Sequence, residues 1–461
     1  THNIFDGALC MGICDKIVPG LLTGALRLGH VPVIFVPAGP MPSGLPNSEK
    51  AAVRQRYARG EIGWDELLEA EVESYHSPGT CTFYGTANSN QVLMEVMGLQ
   101  LPGSSFVNPG TELRDAFTEK ACEQITSVTD LTGDYRPLHD VVSEKTIVNA
   151  MVALLATGGS TNHSIHLVAI ARAAGIRIDW EDFHELSRVV PLLTRLYPNG
   201  EADINEFEKA GGVAFLVHEL LGQGLMHEDV SVMFGESIHD YARPSGLDGA
   251  GRLVWRPARE ASADTRCLRG ADDPFEADSG LYRLEGNLGR AIVKTSSVPE
   301  QNWRIEAPAR VFADQKALLV AYEAGELNRD AVVVLPGQGP AANGMPELHK
   351  LMPALANLQA DGHRVALLTD GRLSGASGKV LSAIHLHPEA VRGGAIGRIR
   401  DGDRIRIDAP AGQMHWEPSE EHGAAAHWGR ANEGLGRELF GVFRDQVTHA
   451  EAGATIFQWD N

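Results

Sequence analysis

What most constrains this chain is the rhythm in which short apolar runs alternate with helical patterns, and the point where that rhythm changes. Residues 21–28 carry a helical pattern, and Val31-Pro32-Val33-Ile34-Phe35-Val36 follows as a continuous apolar run of strand length. Pro32 is tolerable there because it falls near the strand's start. Polar amphipathic patterns at 48–58 and 64–75 are broken by Gly60 and Gly63, and further helical runs cover 89–97, 145–156, 163–174 and much of 181–224. The alternation predicts an α/β protein whose N-terminal domain, residues 1–243, is layered α/β/α. From 244 to 282 the texture turns to Arg, Asp, Gly and Ser with few apolar runs, which reads as a linker or surface excursion. Strand patterns at 291–294, 308–312, 331–335, 364–369 and 404–408, separated by helical patterns at 314–324 and 346–358, predict a β-rich, barrel-like C-terminal domain over 283–461 with inserted helices.

At 461 residues the chain is long enough for two or three domains. Its 40 basic and 60 acidic residues leave a net charge of −20, which argues against nucleic acid or an anionic membrane as partner. An anionic substrate would need a local basic pocket. The five cysteines (Cys10, Cys14, Cys81, Cys122 and Cys267) are odd in number and scattered, so they predict a reducing, cytoplasmic setting rather than a disulfide framework. No apolar run reaches the roughly 18 residues of a membrane span. The sequence opens Thr1-His2-Asn3 and shows no signal-peptide pattern.

Four glycine-rich polar loops stand out: around Cys14, around Cys81, at Gly158-Gly159-Ser160 and at Asp370-Gly371-Arg372-Leu373-Ser374-Gly375. Each lies where a regular element ends, which in α/β proteins is where backbone N–H groups and helix dipoles meet ligands. Cys14-Asp15-Lys16 directly precedes a helical segment with Pro19 in its first turn. A thiolate there is favoured by the helix's positive end. Three alternatives fail on spacing. The serine in Gly371-Arg372-Leu373-Ser374-Gly375 is one place late for a nucleophile elbow. Gly375 to Val380 lacks the first glycine and the Ser/Thr of a phosphate loop. Neither cysteine loop has a zinc-finger partner.

In order along the chain, Cys14-Asp15-Lys16, Gly79-Thr80-Cys81 with Thr86-Ala87-Asn88, Thr157-Gly158-Gly159-Ser160-Thr161-Asn162, Asn343-Gly344-Met345-Pro346-Glu347 and Thr369-Asp370-Gly371-Arg372-Leu373-Ser374-Gly375 resemble the dihydroxy-acid and 6-phosphogluconate dehydratase family. The resemblance covers essentially the whole chain. Ser74 to Gly85, Leu196-Tyr197-Pro198-Asn199-Gly200 and Ala202-Asp203-Ile204-Asn205 match its phosphogluconate branch.

The resemblance implies roles at the matched positions. Cys14 and Cys81 become ligands of an iron–sulfur cluster, 4Fe–4S rather than 2Fe–2S. Asp15 and Glu347 become oxygen ligands of Mg2+ in members with that site, with Lys16 carbamylated beside it. Ser374 becomes the catalytic base that removes the C2 proton, while the open iron activates the C3 hydroxyl. The implied substrate is a phosphorylated sugar acid, and the implied assembly a homodimer. Ser160, Thr161 and Asn162 are the candidate substrate loop. Lys50, Arg54, Arg56 and Arg372 are candidate phosphate ligands, since an Arg fork matches phosphate oxygens. Cys10, Cys122 and Cys267 match no motif and are expected to pack, with Cys10 near enough in sequence to lie by the cluster. Family members carry a further N-terminal region with a Cys-Asp-Gly-like segment that supplies another thiolate. Nothing in this sequence matches it, so the resemblance predicts an incomplete site and poor or absent activity for this chain alone. Two other readings stay open: a dehydratase of a non-phosphorylated sugar acid or dihydroxy acid, and a non-catalytic iron–sulfur protein.

Overall fold

The computed structural model describes residues 4–374, 378–419, 428 and 436–457. The chain divides into two compact units, each built from separated stretches. The first comprises Thr1–Asn47, Val72–Ile178 and Leu186–Ser279; the second comprises Ser48–Glu71, Asp179–Glu185 and Gly280–Asn461.

In the first unit, β1 (Ala8–Gly12) pairs in parallel with β2 (Val33–Pro37) through α1 (Ile17–Leu26). Among the described residues this two-stranded sheet and the hairpin of β3 (Ser245–Leu247) and β4 (Leu253–Trp255) are the unit's sheets. The expected α/β class with a C-terminal barrel holds, and this unit contributes few strands among the described residues. Helices dominate instead. Most of α2 (Asn47–Ala58) and of α3 (Trp64–Ser74) falls in the second unit, and the first unit continues with α4 (Thr86–Val96), α5 (Glu112–Ser127), α6 (Leu138–Val141), α7 (Glu144–Ala156) and α8 (His163–Ala173). A capping box starts α7: Ser143 Oγ accepts from the Thr146 amide, and the Thr146 side chain reaches back to Ser143. α4 is buried along its whole length. Residues 244–279 belong to this unit, where the sequence had suggested a linker.

The second unit is a closed eight-stranded barrel in the order β10-β6-β5-β12-β11-β7-β8-β9, where β5 is Leu281–Gly286, β6 Gly289–Lys294, β7 Arg304–Val311, β8 Ala331–Leu335, β9 Val365–Thr369, β10 Ser382–His387, β11 Arg404–Asp408 and β12 Gln413–Glu417. Helical excursions from the first half of the chain, over 48–71 and 179–185, join it. Side-chain alternation explains its two cores. Val332, Val334, Ala366 and Leu368 point inward with Ile305, Ile405 and Ile407. Val333, Leu335, Val365 and Leu367 point outward against helical Leu318, Leu355 and Leu358. That double burial makes β8 and β9 continuous apolar runs, legible in sequence, as parallel strands covered on both faces are. By contrast, β7 alternates exposed and buried residues, and β5, β10 and β12 escaped the sequence pattern.

Ile407 is fully buried inside the barrel. Ile407→Ala should cost about 2–5 kcal/mol by removing transfer energy and leaving a cavity. Chemical denaturation followed by a barrel-unit probe checks it.

Candidate active site

Cys14, Asp15 and Lys16 form the turn between β1 and α1, closed by the Ile17 amide donating to Cys14 O at 3.0 Å. Lys16 occupies the N-cap position of α1 and no side chain caps the helix. An uncapped helix start attracts a thiolate or carboxylate. Cys14 is exposed there. The turn is held from two sides: Asn90 Nδ2 donates to Asp15 O at 3.0 Å, and His166 Nε2 lies 3.0 Å from Asp15 Oδ1. One helical turn before His166, the buried His163 ring sits with Nε2 2.9 Å from Ser89 Oγ. Burial first and then the neighbouring His166 push its pKa down to about 3, against the pull of Asp15, so this ring is neutral at ordinary pH.

The Cys81 loop is tied at alternate residues. The Thr80 amide donates to Gly39 O, the Tyr84 amide to Tyr197 O, and Thr82 O accepts from the Ile204 amide. Asn88 then spans the turn, with Nδ2 donating to Cys81 O at 2.7 Å and Phe83 O at 2.8 Å while its Oδ1 accepts from Thr80 Oγ1. Gly79 makes this approach possible: its φ is +130° and a Cβ would collide with the Met41 amide.

The third loop reaches the same helix. Ser160 Oγ lies 2.7 Å from Thr86 Oγ1, which also accepts from Asn162 Nδ2 at 3.0 Å. Thr86, Asn88 and Asn90 of α4 thus fasten the Ser160, Cys81 and Cys14 loops of one unit. Ser160 and Asn162 are buried, and Thr161 between them is half-buried.

In the barrel unit, Glu347, Arg372 and Ser374 lie in segments that follow the C-terminal ends of parallel strands, whereas Lys50, Arg54 and Arg56 lie on α2. Asp370, directly after β9, accepts amides from Gly337 at 3.0 Å, Gln338 at 2.7 Å and Ala390 at 2.9 Å, so one carboxylate ties the loops after β8, β9 and β10. Burial pushes its pKa up to about 6 against those three hydrogen bonds. Glu347 pairs backbone-to-backbone with Arg372 and meets Arg372 Nη1 at 3.1 Å. Arg372 is buried and also donates from Nε to Met345 O at 2.7 Å. Ser374 is half-buried just beyond; Gly375 of its motif lies outside the described residues. Arg54 forks Glu71, Nε to Oε1 at 2.6 Å and Nη2 to Oε2 at 2.9 Å. Lys50 is buried, and Arg56 meets Glu66 at 3.1 Å. Of the unmatched cysteines, Cys267 packs as expected, with burial pushing its thiol up to about 11. Cys10 is half-buried and its thiol is pushed up by burial. Cys122 is exposed on α5, so the packing expectation fails for it.

Two thiols on rigid loops suit an iron–sulfur cluster, and Asp15 with its fixed carboxylate suits a hard divalent cation. A helical unit bearing two cysteine loops and a barrel unit bearing a serine loop and a carboxylate loop define a two-domain α/β protein. The chain belongs to the dihydroxy-acid/6-phosphogluconate dehydratase family: residues 1–241 match the model of its N-terminal domain and residues 266–454 that of its C-terminal domain. It is 55% identical to the phosphogluconate dehydratase of Pseudomonas aeruginosa, over 99% of this chain and 76% of that protein. It is likewise 55% identical to the phosphogluconate dehydratase of Zymomonas mobilis, over 98% of this chain and 75% of that one. The dihydroxy-acid dehydratase of Caldanaerobacter subterraneus is 33% identical over 98% of this chain and 80% of its own length.

Sequence reading assigned no role to Asn88, Asn90, His166 or Asp370. The signal for the first two was present: Thr86-Ala87-Asn88-Ser89-Asn90-Gln91 is a polar run opening a helix, and buried polar groups need partners. Asn88→Ala or Asn90→Ala should weaken iron retention about 10–100-fold, the usual cost of losing a supporting residue behind a metal ligand. Chelator competition on anaerobically loaded protein, with circular dichroism as fold control, measures it. Asp370 yields a pH prediction. Its folded pKa of about 6 exceeds the ordinary aspartate value of 3.8, so the folded state holds more protons between them. This group's stability contribution is full below the unfolded value and is lost as pH rises through about 6. Asp370→Asn should therefore flatten the fall in denaturation midpoint across that window; an unchanged slope would remove Asp370 as its source.

Proposed function

We propose that this chain is a hydro-lyase that dehydrates 6-phospho-D-gluconate to 2-dehydro-3-deoxy-6-phosphogluconate, working as a homodimer. The observation that carries the reading is the fastening of the Cys14 and Cys81 loops to one buried helix through Asn90 and Asn88. The phosphogluconate dehydratases at 55% identity support the substrate.

Cys14 and Cys81 would hold a 4Fe–4S cluster, whose chemistry when bound is Lewis-acid activation of the C3 hydroxyl as a leaving group. Asp15, kept in place by His166, and a carbamylated Lys16 would supply hard oxygen ligands to Mg2+, and Glu347 is the barrel unit's own candidate for that ligand type. Ser374 Oγ takes the C2 proton as alkoxide; a serine needs a neighbouring cation to act so. Loss of the C3 hydroxyl as water leaves an enol, which tautomerises to the 2-keto acid with no change of redox state. Thr161 is assigned the substrate contact of its loop, with buried Ser160 and Asn162 setting its position through Thr86. The phosphate is assigned to Arg54. Its pair with Glu71 is 39% and 34% exposed, and such pairs are worth about 0–1 kcal/mol, so a dianion can displace the carboxylate. Arg372, buried against Glu347, positions that carboxylate instead.

The test is anaerobic reconstitution with iron and sulfide followed by a keto-acid assay. 6-Phosphogluconate should yield keto acid and gluconate should not. Ser374→Ala should lower turnover by about 100-fold or more while leaving iron content unchanged, in line with loss of a general base. Cys81→Ser should lose both. An iron-loaded chain that forms no keto acid from any sugar acid would sink the proposal in favour of a non-catalytic iron–sulfur protein.

A further inference from the structure

A second constellation of metal-ligating side chains lies in the barrel unit and shares no residue with the site above. His387 ends β10, in register with Arg290 of β6. His449 and Glu451 share a tight turn whose backbone is fixed by the Thr448 amide donating to Thr455 O and the Ala452 and Ala454 amides donating to His449 O. The ligand atoms of His387, His449 and Glu451 all lie within 4.8 Å of one another.

Their environment distinguishes this cluster from a surface ion pair. Glu451 is 5% exposed. Its Oε2 lies 2.6 Å from His387 Nε2. Its Oε1 is ion-paired with Arg290 Nη1 at 2.8 Å. The His387 ring is backed by the edge of Trp180, centroids 5.5 Å apart, and stacked by His449 at 4.5 Å. His449 lies on the exposed side of the cluster.

We propose that His387, Glu451 and His449 bind one divalent zinc-class ion, which clasps the 447–455 turn to β10. Tetrahedral zinc with bonds of about 2.0–2.2 Å sets its ligand atoms about 3.3–3.5 Å apart. The 4.8 Å envelope contains that span, and the Glu451–His387 contact has to open by less than about 1 Å to admit the ion. Binding releases the proton shared by His387 Nε2 and Glu451 Oε2 to solvent. The rings of His387 and His449 then bind as neutral imidazoles, and Arg290 stays on the outer side of the carboxylate. Water completes the fourth position on the exposed side.

Equilibrium dialysis of the full chain against micromolar Zn2+, with metal counted per chain, tests this. Wild type should hold one zinc more than His449→Ala, and His449→Cys, which keeps a zinc ligand, should recover it. Zinc X-ray absorption of wild type should show added imidazole scattering that His449→Ala lacks. His449 is exposed, so its replacement leaves the core intact. Equal zinc in wild type and His449→Ala would overturn the proposal and leave Glu451 as an ion-paired carboxylate.

Discussion

The satisfaction of polar side chains on one buried helix governs the candidate site. α4 has no exposed residue, yet it carries Thr86, Asn88, Ser89, Asn90 and Glu95. Each would cost free energy if its hydrogen bonds went unmade. The first half of the helix resolves this by taking the backbone of the Cys81 and Asp15 turns and the side chains of the Ser160 loop. Its second half does the same with another loop. Glu95 accepts the amides of Gly103 and Ser105 and the hydroxyl of Ser105, while burial pushes its pKa up. Loop positions in this unit are therefore set from inside, by a helix that has nowhere else to put its polar groups.

The barrel solves a different problem. Two of its antiparallel pairs, β5–β6 and β11–β12, are joined locally, as where Gly286 and Gly289 close the β5–β6 hairpin. The parallel run β7-β8-β9-β10 cannot be closed that way, because parallel neighbours need crossovers. Those crossovers provide the segments that carry Glu347 and Ser374. Buried Asp370 holds three of the loops at their roots, and Glu389 does similar work by accepting the Ala341 and Ala342 amides at 3.0 Å. Loops anchored by carboxylates at strand ends are stiff at the base and variable at the tip.

Strands β8, β9 and β11 were legible because double burial or clean alternation writes itself into the sequence. Strand β10 was not, since Ser382, His385 and His387 interrupt its apolar pattern and a bulge shifts its register. The membership of 48–71 and 179–185 in the barrel unit had no local signal; it depends on contacts such as Asn357 Nδ2 with Gln55 O that no window of sequence contains. Motif loops were legible as a set. The groups holding them were not, because a buried asparagine in a helix looks the same in sequence whether it faces a loop or a water.

The charge balance ties these points to substrate choice. A chain of net charge −20 can receive an anion only where cations are locally available, and most of its arginines already face carboxylates. What separates them is how readily each carboxylate can be exchanged. Arg372 and Glu347 sit with the guanidinium buried, where breaking the pair leaves an uncompensated charge. Arg54 and Glu71 sit in solvent reach, where the pair is screened and weakly bound. Burial thus sorts two chemically identical guanidiniums into a buried pair and a solvent-reached pair, a distinction invisible in the residue type and determined by the fold.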